Sequence, residues 1–510
     1  MKTNCNFPLN APIPITLPSC MEHEVEAILA LLDEGAPVIH IRKPEATVAE
    51  LDQLLMQLQT SGTDMRRLTL HHHLEFAQRF ALGGIHLREE ALQSLQKPLT
   101  GRQESDDLLP QLDLSSVASD SNPSSVELSR TMYSQSSGCT QDAGPERPST
   151  TFQDSFCFST VHSDSQLQTS QSTSDEIATS SRFSQTELRV SAPAHSWEEA
   201  CRLAAQCDYV LFSPLFDSVS KSGYRGAIDP AEVCQLLRRY HDGNMIALGG
   251  ITLQNISLAR AAAFDGVAAI GSIWKLDSTG AIDVSRTRLA YQRLTRRWQA
   301  AGGTLQFISD GTLATVEAYL KGGGRWVQLR MKETPAETII TRGKTLLPLC
   351  HQYGALLIVN DDPQLAAAIG ADGVHLGQSD MAPDDARKLL GERAIIGCTA
   401  NTFEQIQKIA QSSADYIGLG PFRYTTTKKN LAPLLGVEGY TRIMQQMAEA
   451  GIRLPLVAIG GITLEDVPQI MACGVNGLAI SGSISHAADV TFTTAQFVAK
   501  IAQHRTVIMP

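Results

Sequence analysis

The sequence predicts an α/β protein built as two tandem (β/α)8 barrels of the TIM type, the first interrupted by a Ser-rich insertion. Three observations predict it. Short apolar runs alternate with segments of helical period along most of the 510 residues, the pattern expected of parallel strands joined by crossover helices. The same polar and glycine clusters recur in both halves. One tract, from about Lys97 to Thr186, breaks the alternation with Ser, Gln, Thr and Asp.

In the first half, strands are expected over 14–17, 38–42, 68–70 and 84–87. After the insertion they resume over 188–190, 209–212, 245–248 and 267–270, and helical segments follow in turn. The insertion, about 97–187, has few large apolar residues, so it cannot bury enough surface to offset its chain entropy and is expected to be disordered. The second half expects strands over 304–308, 326–329, 356–359, 373–376, 394–396, 416–419, 456–459 and 478–480. Eight such units in the 208 residues of 303–510 fit a small barrel of this class, near its lower limit of roughly 200 residues. The expected domains are therefore 1–302 and 303–510.

The recurrence can be followed letter by letter. His40-Ile-Arg42 matches Gln328-Leu-Arg330 at an offset of 288, and Gly84-Ile-His-Leu87 matches Gly373-Val-His-Leu376 at 289. Beyond the insertion, Ser213-Pro214 matches Gly420-Pro421 at 207, and Ala247-Leu-Gly-Gly-Ile-Thr252 matches Ala458-Ile-Gly-Gly-Ile-Thr463 at 211. The offset drops by 82 (289 minus 207), which the Ser-rich tract accounts for. The reading is a duplicated barrel with one copy interrupted.

Composition narrows the function. A net charge of -11 argues against nucleic acid as the main partner, and no apolar run is long enough to span a membrane. A signal peptide is not expected either. Ten scattered cysteines without a C-x-x-C pair or a zinc-like Cys/His spacing read as reduced thiols, so a cytoplasmic protein is expected.

In a barrel of this class chemistry sits at the C-terminal strand ends. In the second half those ends carry Gln328, Arg330 and Lys332, then Asn360 and Asp361, then Asp380, Thr399, the loop Thr425-Thr-Thr-Lys428, Gly460-Gly461 and Ile480-Ser481. Gln328, Arg330 and Lys332 are two apart, which on a strand turns them the same way; the plain alternative is solvated charge beyond a strand end. Asp361 and Asp380 come from neighbouring strands and suit a hard cation such as Mg2+, against helix capping as the simpler role. The hydroxyls and Lys428 after Gly420 suit a phosphate, as does close backbone approach at Gly460-Gly461; tight turns are the alternative.

Taken together and in order, Gln328-Leu-Arg-Met-Lys332, Asn360-Asp361, Gly373-Val-His-Leu-Gly-Gln-Ser-Asp380, Gly420-Pro421 through Lys428, and Ile459-Gly-Gly-Ile462 resemble thiamine phosphate synthase across the whole second half. The resemblance implies a transferase that joins hydroxymethylpyrimidine diphosphate to thiazole phosphate with release of pyrophosphate. It implies that Arg330, Lys332, Asn360 and Lys428 hold the diphosphate, and that Asp361 and Asp380 bind Mg2+. Gln328 and Thr399 would orient the pyrimidine, and Thr425, Thr427, Gly461, Ile480 and Ser481 would hold the thiazole phosphate. Met331, Asp362 and Thr399-Ala-Asn401 depart from the family's usual residues. A phosphate-binding barrel isomerase is the alternative enzyme, and a ligand sensor the non-enzymatic one.

The first half has His71 for Asn360, His72 for Asp361 and Ala91 for Asp380, so the paired carboxylates are gone. Ser218, Ser220 and Lys221 still match the phosphate loop. This half resembles the related thiazole tautomerases, which place a His after strand five, and His195 lies in that region. The resemblance implies proton transfer by His195; a non-catalytic ligand-binding barrel is the alternative.

Overall fold

The computed structural model describes residues 10–96, 188–217, 237, 244–424 and 434–504. The Ser-rich insertion lies outside them, as do Thr425, Thr427 and Lys428 of the second half and Ser218, Ser220 and Lys221 of the first.

The first barrel has strands β1 (Ile13–Pro14), β2 (Ile39–Ile41), β3 (Leu68–His71), β4 (Gly84–His86), β5 (Arg189–Ala194), β6 (Tyr209–Phe212), β7 (Asn244–Ala247) and β8 (Gly266–Ala269). All pair in parallel in sequence order, and β1 pairs with β8. The ring closes between β1 and β2 through one bridge, Ile15 to His40. The second barrel has β9 (Leu305–Ser309), β10 (Trp326–Leu329), β11 (Leu356–Asn360), β12 (Gly373–Leu376), β13 (Ile395–Ala400), β14 (Tyr416–Leu419), β15 (Leu456–Ile459) and β16 (Gly477–Ile480), and it closes fully by pairing β16 with β9. Most strand residues are buried on both faces, because helices cover the outside while side chains fill the inside.

Each barrel therefore has two apolar layers. In the second, a large cluster including Phe307, Val327, Leu357 and Leu419 lies between strands and helices. A smaller one, with Trp326, Ile358, Ile395, Tyr416, Val457 and Ala479, fills the interior. Ala300 belongs to that interior cluster, so the end of the long helix Val284–Gly302 plugs the N-terminal mouth of the second barrel.

That helix also ties the barrels together by charge. Arg296 donates from Nε to Asp415 Oδ1 at 2.6 Å, and Arg387 donates from Nη2 to Asp415 Oδ2 at 2.7 Å. The Asp415 side chain is 1% exposed. Buried charges persist only when paired and hydrogen-bonded, and Asp415 also accepts the Ile396 N–H at 2.9 Å. At the rim, Arg393 of the second barrel grips Glu34 of the first with two bonds of 2.7 and 2.9 Å.

The corresponding backbone turns agree between copies. Asp361 and His72 both take left-handed φ values, 68° and 62°, and Gly460-Gly461 (105° and 64°) repeats Gly249-Gly250 (98° and 62°). A Cβ on Gly461 would meet the Arg423 Cγ at 2.6 Å, so glycine is required there for space as well as for φ.

Candidate functional site

In the second barrel a cavity of about 490 Å³ opens beyond β10 and β11, lined by Arg330, Lys332, Glu333, Asn360, Asp361 and Asp362 together with apolar side chains. The strand alternation expected to align Gln328, Arg330 and Lys332 stops at Leu329. Arg330 still adds one ladder bond, its N–H donated to Ser309 O at 2.8 Å. Lys332 stands exposed in the turn that follows, while Gln328 is buried one layer below the mouth.

The two neighbouring aspartates after β11 have separate jobs. Asp362 caps the helix Pro363–Ile369 by accepting from the Gln364 and Leu365 N–H groups, which satisfies donors that have no partner inside the helix. Asp361, in its left-handed turn, does not cap that helix, and its carboxyl feels the charge of the Asp380 carboxyl. Asp380 does not cap the helix Pro383–Leu390, whose N-cap is Ala382. Instead its Oδ2 accepts the Gly377 N–H at 2.6 Å.

Two carboxylates that act on each other in this way repel when both are ionised, and a cation or a proton between them relieves the repulsion. Burial and the Asp380 charge push the Asp361 carboxyl up to about 6, while Arg330 and the Asn360 amide pull the other way. The donor set is hard oxygen beside a cation, which fits a hard ion such as Mg2+ better than it fits a softer metal.

Below the mouth runs a buried polar chain that the sequence did not single out. Gln328 donates to Gln306 Oε1 at 3.4 Å, and Gln306 donates to the Tyr416 hydroxyl at 3.1 Å. Tyr416 in turn is 2.9 Å from His375 Nδ1, whose Nε2 is 3.0 Å from Thr399 Oγ1. Gln328 and Thr399, expected to contact one ligand ring, are thus the two ends of one network. The available signal was the His in Gly-Ile-His-Leu and Gly-Val-His-Leu, which occupies the same inward place in both copies.

On the far side, Gly461 and Ser481 follow β15 and β16. Ser481 donates to Ile308 O at 2.9 Å, and Ile480 is buried in the apolar core. The base of the strand-six loop is pinned by Arg423 donating to Asp466 at 2.7 Å and by the Leu435 N–H to Pro421 O bond at 3.0 Å.

In the first barrel His195 is exposed; its Nδ1 lies 2.9 Å from Ser213 O. Asn401 makes the matching contact, from Nδ2 to Gly420 O. His195 therefore holds the strand-six loop as Asn401 does, with Nε2 on the ring's other edge.

These features define a TIM-barrel protein with an acidic pair and two cationic side chains, Arg330 and Lys332, beyond the C-terminal strand ends of its second barrel. Residues 169–273 and 304–484, together more than half of the chain, match the family model described as thiamine monophosphate synthase. The chain belongs to that family. It is similar to the thiamine-phosphate synthases of Bacteroides thetaiotaomicron and Bacteroides fragilis, each 53% identical over 191 residues; these stretches cover 36% of this chain and 91% and 94% of the relatives. Among solved structures it is similar to a thiamine phosphate pyrophosphorylase from Pyrococcus furiosus, with 30% identity over 39% of this chain and 96% of that one, at a TM-score of 0.36. The family and its curated relatives make the chain a transferase of thiamine biosynthesis that acts on small molecules. No helix among the described residues is long and apolar enough to cross a membrane.

Proposed function

We propose that the second barrel, within 303–510, is a Mg2+-dependent thiamine phosphate synthase. It would join hydroxymethylpyrimidine diphosphate to thiazole phosphate and release pyrophosphate. The observation that carries the reading is the Asp361–Asp380 carboxyl pair, of which Asp361 lines the cavity together with Arg330. In the reaction the bond from the pyrimidine methylene carbon to the diphosphate oxygen breaks, and both electrons leave with pyrophosphate. The thiazole nitrogen lone pair then forms the new C–N bond.

When bound, Mg2+ held by Asp361 and Asp380 supplies charge neutralisation on the departing diphosphate. Arg330, Lys332 and Asn360 bind that same group from the cavity wall, with Lys428 assigned to it from the loop. Cations in a partly desolvated cleft stabilise developing negative charge more than they do in water. The Thr399 hydroxyl, held by His375, orients the aminopyrimidine ring, and Gln328 supports this arrangement from below. Gly461, Ile480, Ser481, Thr425 and Thr427 are assigned to the thiazole phosphate, where small side chains and backbone N–H groups suit an anion. No proton has to move in the bond-making step, so a general base is unnecessary. The test is pyrophosphate release with both substrates and Mg2+; wild type is expected to turn over and Asp361→Asn to lose most of the rate.

For the first barrel we propose thiazole tautomerase chemistry, supported by His195. Its Nδ1 contact with a carbonyl requires N–H there in the neutral ring, which leaves a lone pair on Nε2 for proton transfer. His195→Asn would keep the loop contact that Asn401 makes and remove the proton carrier. Ultraviolet absorbance of the tautomer substrate is expected to change with wild type and not with this variant; equal rates would remove the residue from the chemistry. We also infer that the barrels arose by duplication of one unit, supported by the repeated backbone turns.

A further inference from the structure

The first barrel lost its carboxylate pair, yet its interior carries three histidines on adjacent strands. His40 lies on β2, His71 ends β3 and His86 ends β4, with His71 and His86 paired in register. One ring nitrogen from each can be chosen so that all three lie within 4.8 Å of one another. His40 Nδ1 and His71 Nε2 are 3.0 Å apart. Tetrahedral coordination at a Zn–N length of about 2.0–2.1 Å places ligand nitrogens about 3.3 Å apart, so this pair needs only a small adjustment.

The outer contacts suit ligation. A metal-bound imidazole ordinarily donates its second N–H to a fixed acceptor. His86 Nδ1 is 2.9 Å from Ser191 Oγ, and the Ser191 hydroxyl is itself directed to Ile85 O at 3.4 Å. That leaves the serine lone pair to accept, puts the proton of His86 on Nδ1 and leaves Nε2 with its lone pair. His40 Nε2 is 2.6 Å from the Tyr209 hydroxyl, so that nitrogen can donate while Nδ1 faces His71. Burial keeps all three rings neutral; His40 falls to about 3, and His71 and His86 fall well below the ordinary value.

We propose that His40, His71 and His86 form a binding site for a divalent d-block cation of the zinc class, with an anionic oxygen as fourth ligand. Three neutral imidazoles with one open position are a donor set for such an ion rather than for Mg2+. The ion replaces the single N–H now shared between His40 and His71; the ring that carries that proton holds it on its other nitrogen instead. His40 and His86 are buried and His71 is half-buried toward the mouth. Arg42 acts electrostatically on both His71 and His86. A bare dication is disfavoured beside that guanidinium, which is why the fourth ligand is an anion, hydroxide or a phosphate oxygen. All three histidines lie outside the two segments that match the family model, and the second barrel has Gln328 and Asn360 where His40 and His71 stand.

The experiment is Co2+ titration of the full chain, stripped with chelator and held in excess Mg2+ and inorganic phosphate. Four-coordinate Co2+ bound to nitrogen absorbs strongly in the visible, whereas Co2+ in a carboxylate site does not. One equivalent is expected to develop the intense band in wild type and in Asp361→Asn, and the band is expected to vanish in His71→Asn and in His40→Gln. Both of these substitutions install the residue with which the second barrel folds, and thermal unfolding verifies each. Ser191→Ala is expected to weaken binding by about 10–100-fold. The absence of a strong band in wild type, or an undiminished band in folded His71→Asn, overturns the site.

Discussion

Substituting Asp361 by Asn separates the account of the acidic pair from any purely structural one, because activity and stability are expected to move in opposite directions. Asparagine tolerates the left-handed turn at φ 68° better than other residues do, so the backbone is spared. Burial and Asp380 displace the Asp361 carboxyl from 3.8 to about 6. An acid whose pKa is raised on folding is favoured in its protonated form. The destabilisation is therefore absent below about 4 and complete above about 6. Taken at face value, the displacement corresponds to roughly 3 kcal/mol, but Asp361 is exposed, and solvent screening reduces this to about 1 kcal/mol. Without divalent cation at pH 7.5, Asp361→Asn is thus expected to raise Tm by about 2–4 °C for a barrel of this size, with no gain at pH 4. Adding Mg2+ at a hundred times its Kd is expected to stabilise wild type by about 2.7 kcal/mol and the variant far less. Turnover is expected to fall about 100- to 1,000-fold, in line with loss of one group that stabilises transition-state charge. Thermal unfolding with and without Mg2+ at the two pH values, beside a pyrophosphate-release assay, reads all of this. A folded variant that is less stable than wild type at pH 7.5 without Mg2+, one that Mg2+ stabilises as much as wild type, or one with unchanged turnover refutes the reasoning.

Other expectations follow from the same structure. Because one proton competes with the cation at the acidic pair, the Mg2+ Kd is expected to rise about tenfold per pH unit below about 6, which calorimetry at pH 5 and 7 checks. Arg330→Gln removes a charge-assisted contact of about 1.5–3 kcal/mol, so KM for the pyrimidine diphosphate is expected to rise about 10- to 150-fold with the fold intact. His375→Leu takes the imidazole partner from the Thr399 hydroxyl and leaves the Tyr416 hydroxyl with Gln306 alone, at about 1–3 kcal/mol in all; denaturant unfolding should show the loss, and pyrimidine KM should rise with it. Asp415→Asn leaves the buried Arg387 without its ion-pair partner and Arg296 with Glu392 alone, and is expected to cost about 3–5 kcal/mol, seen as a lower unfolding midpoint.

The strands were legible because a strand buried on both faces writes a short apolar run between glycine-rich turns, as in Tyr416-Ile-Gly-Leu419. The acidic pair was legible for a different reason: strand order in a barrel follows sequence order, so Asp361 and Asp380 at successive strand ends had to become neighbours. What sequence spacing concealed was contact between side chains far apart in the chain. Gln328 reads as a mouth residue but is 2% exposed, since the ladder ends one residue beyond Leu329 and the cavity begins there. His40, His71 and His86 have no metal-motif spacing, because each sits on its own strand and only the sheet register brings them together. The job of Asp362 was hidden too, as a cap and a ligand look alike in a list of residues. The Asp415 triad escaped because its arginines come from elements 119 and 28 residues away.

The most direct measurement is the stoichiometry of the joining reaction. Full-length protein, hydroxymethylpyrimidine diphosphate, thiazole phosphate and Mg2+ are incubated, and pyrophosphate and thiamine phosphate are quantified together. One pyrophosphate per thiamine phosphate, abolished by chelation with EDTA and restored by Mg2+, is the expected result. Product formed at the same rate after chelation, or none formed by folded protein with both substrates present, would contradict it.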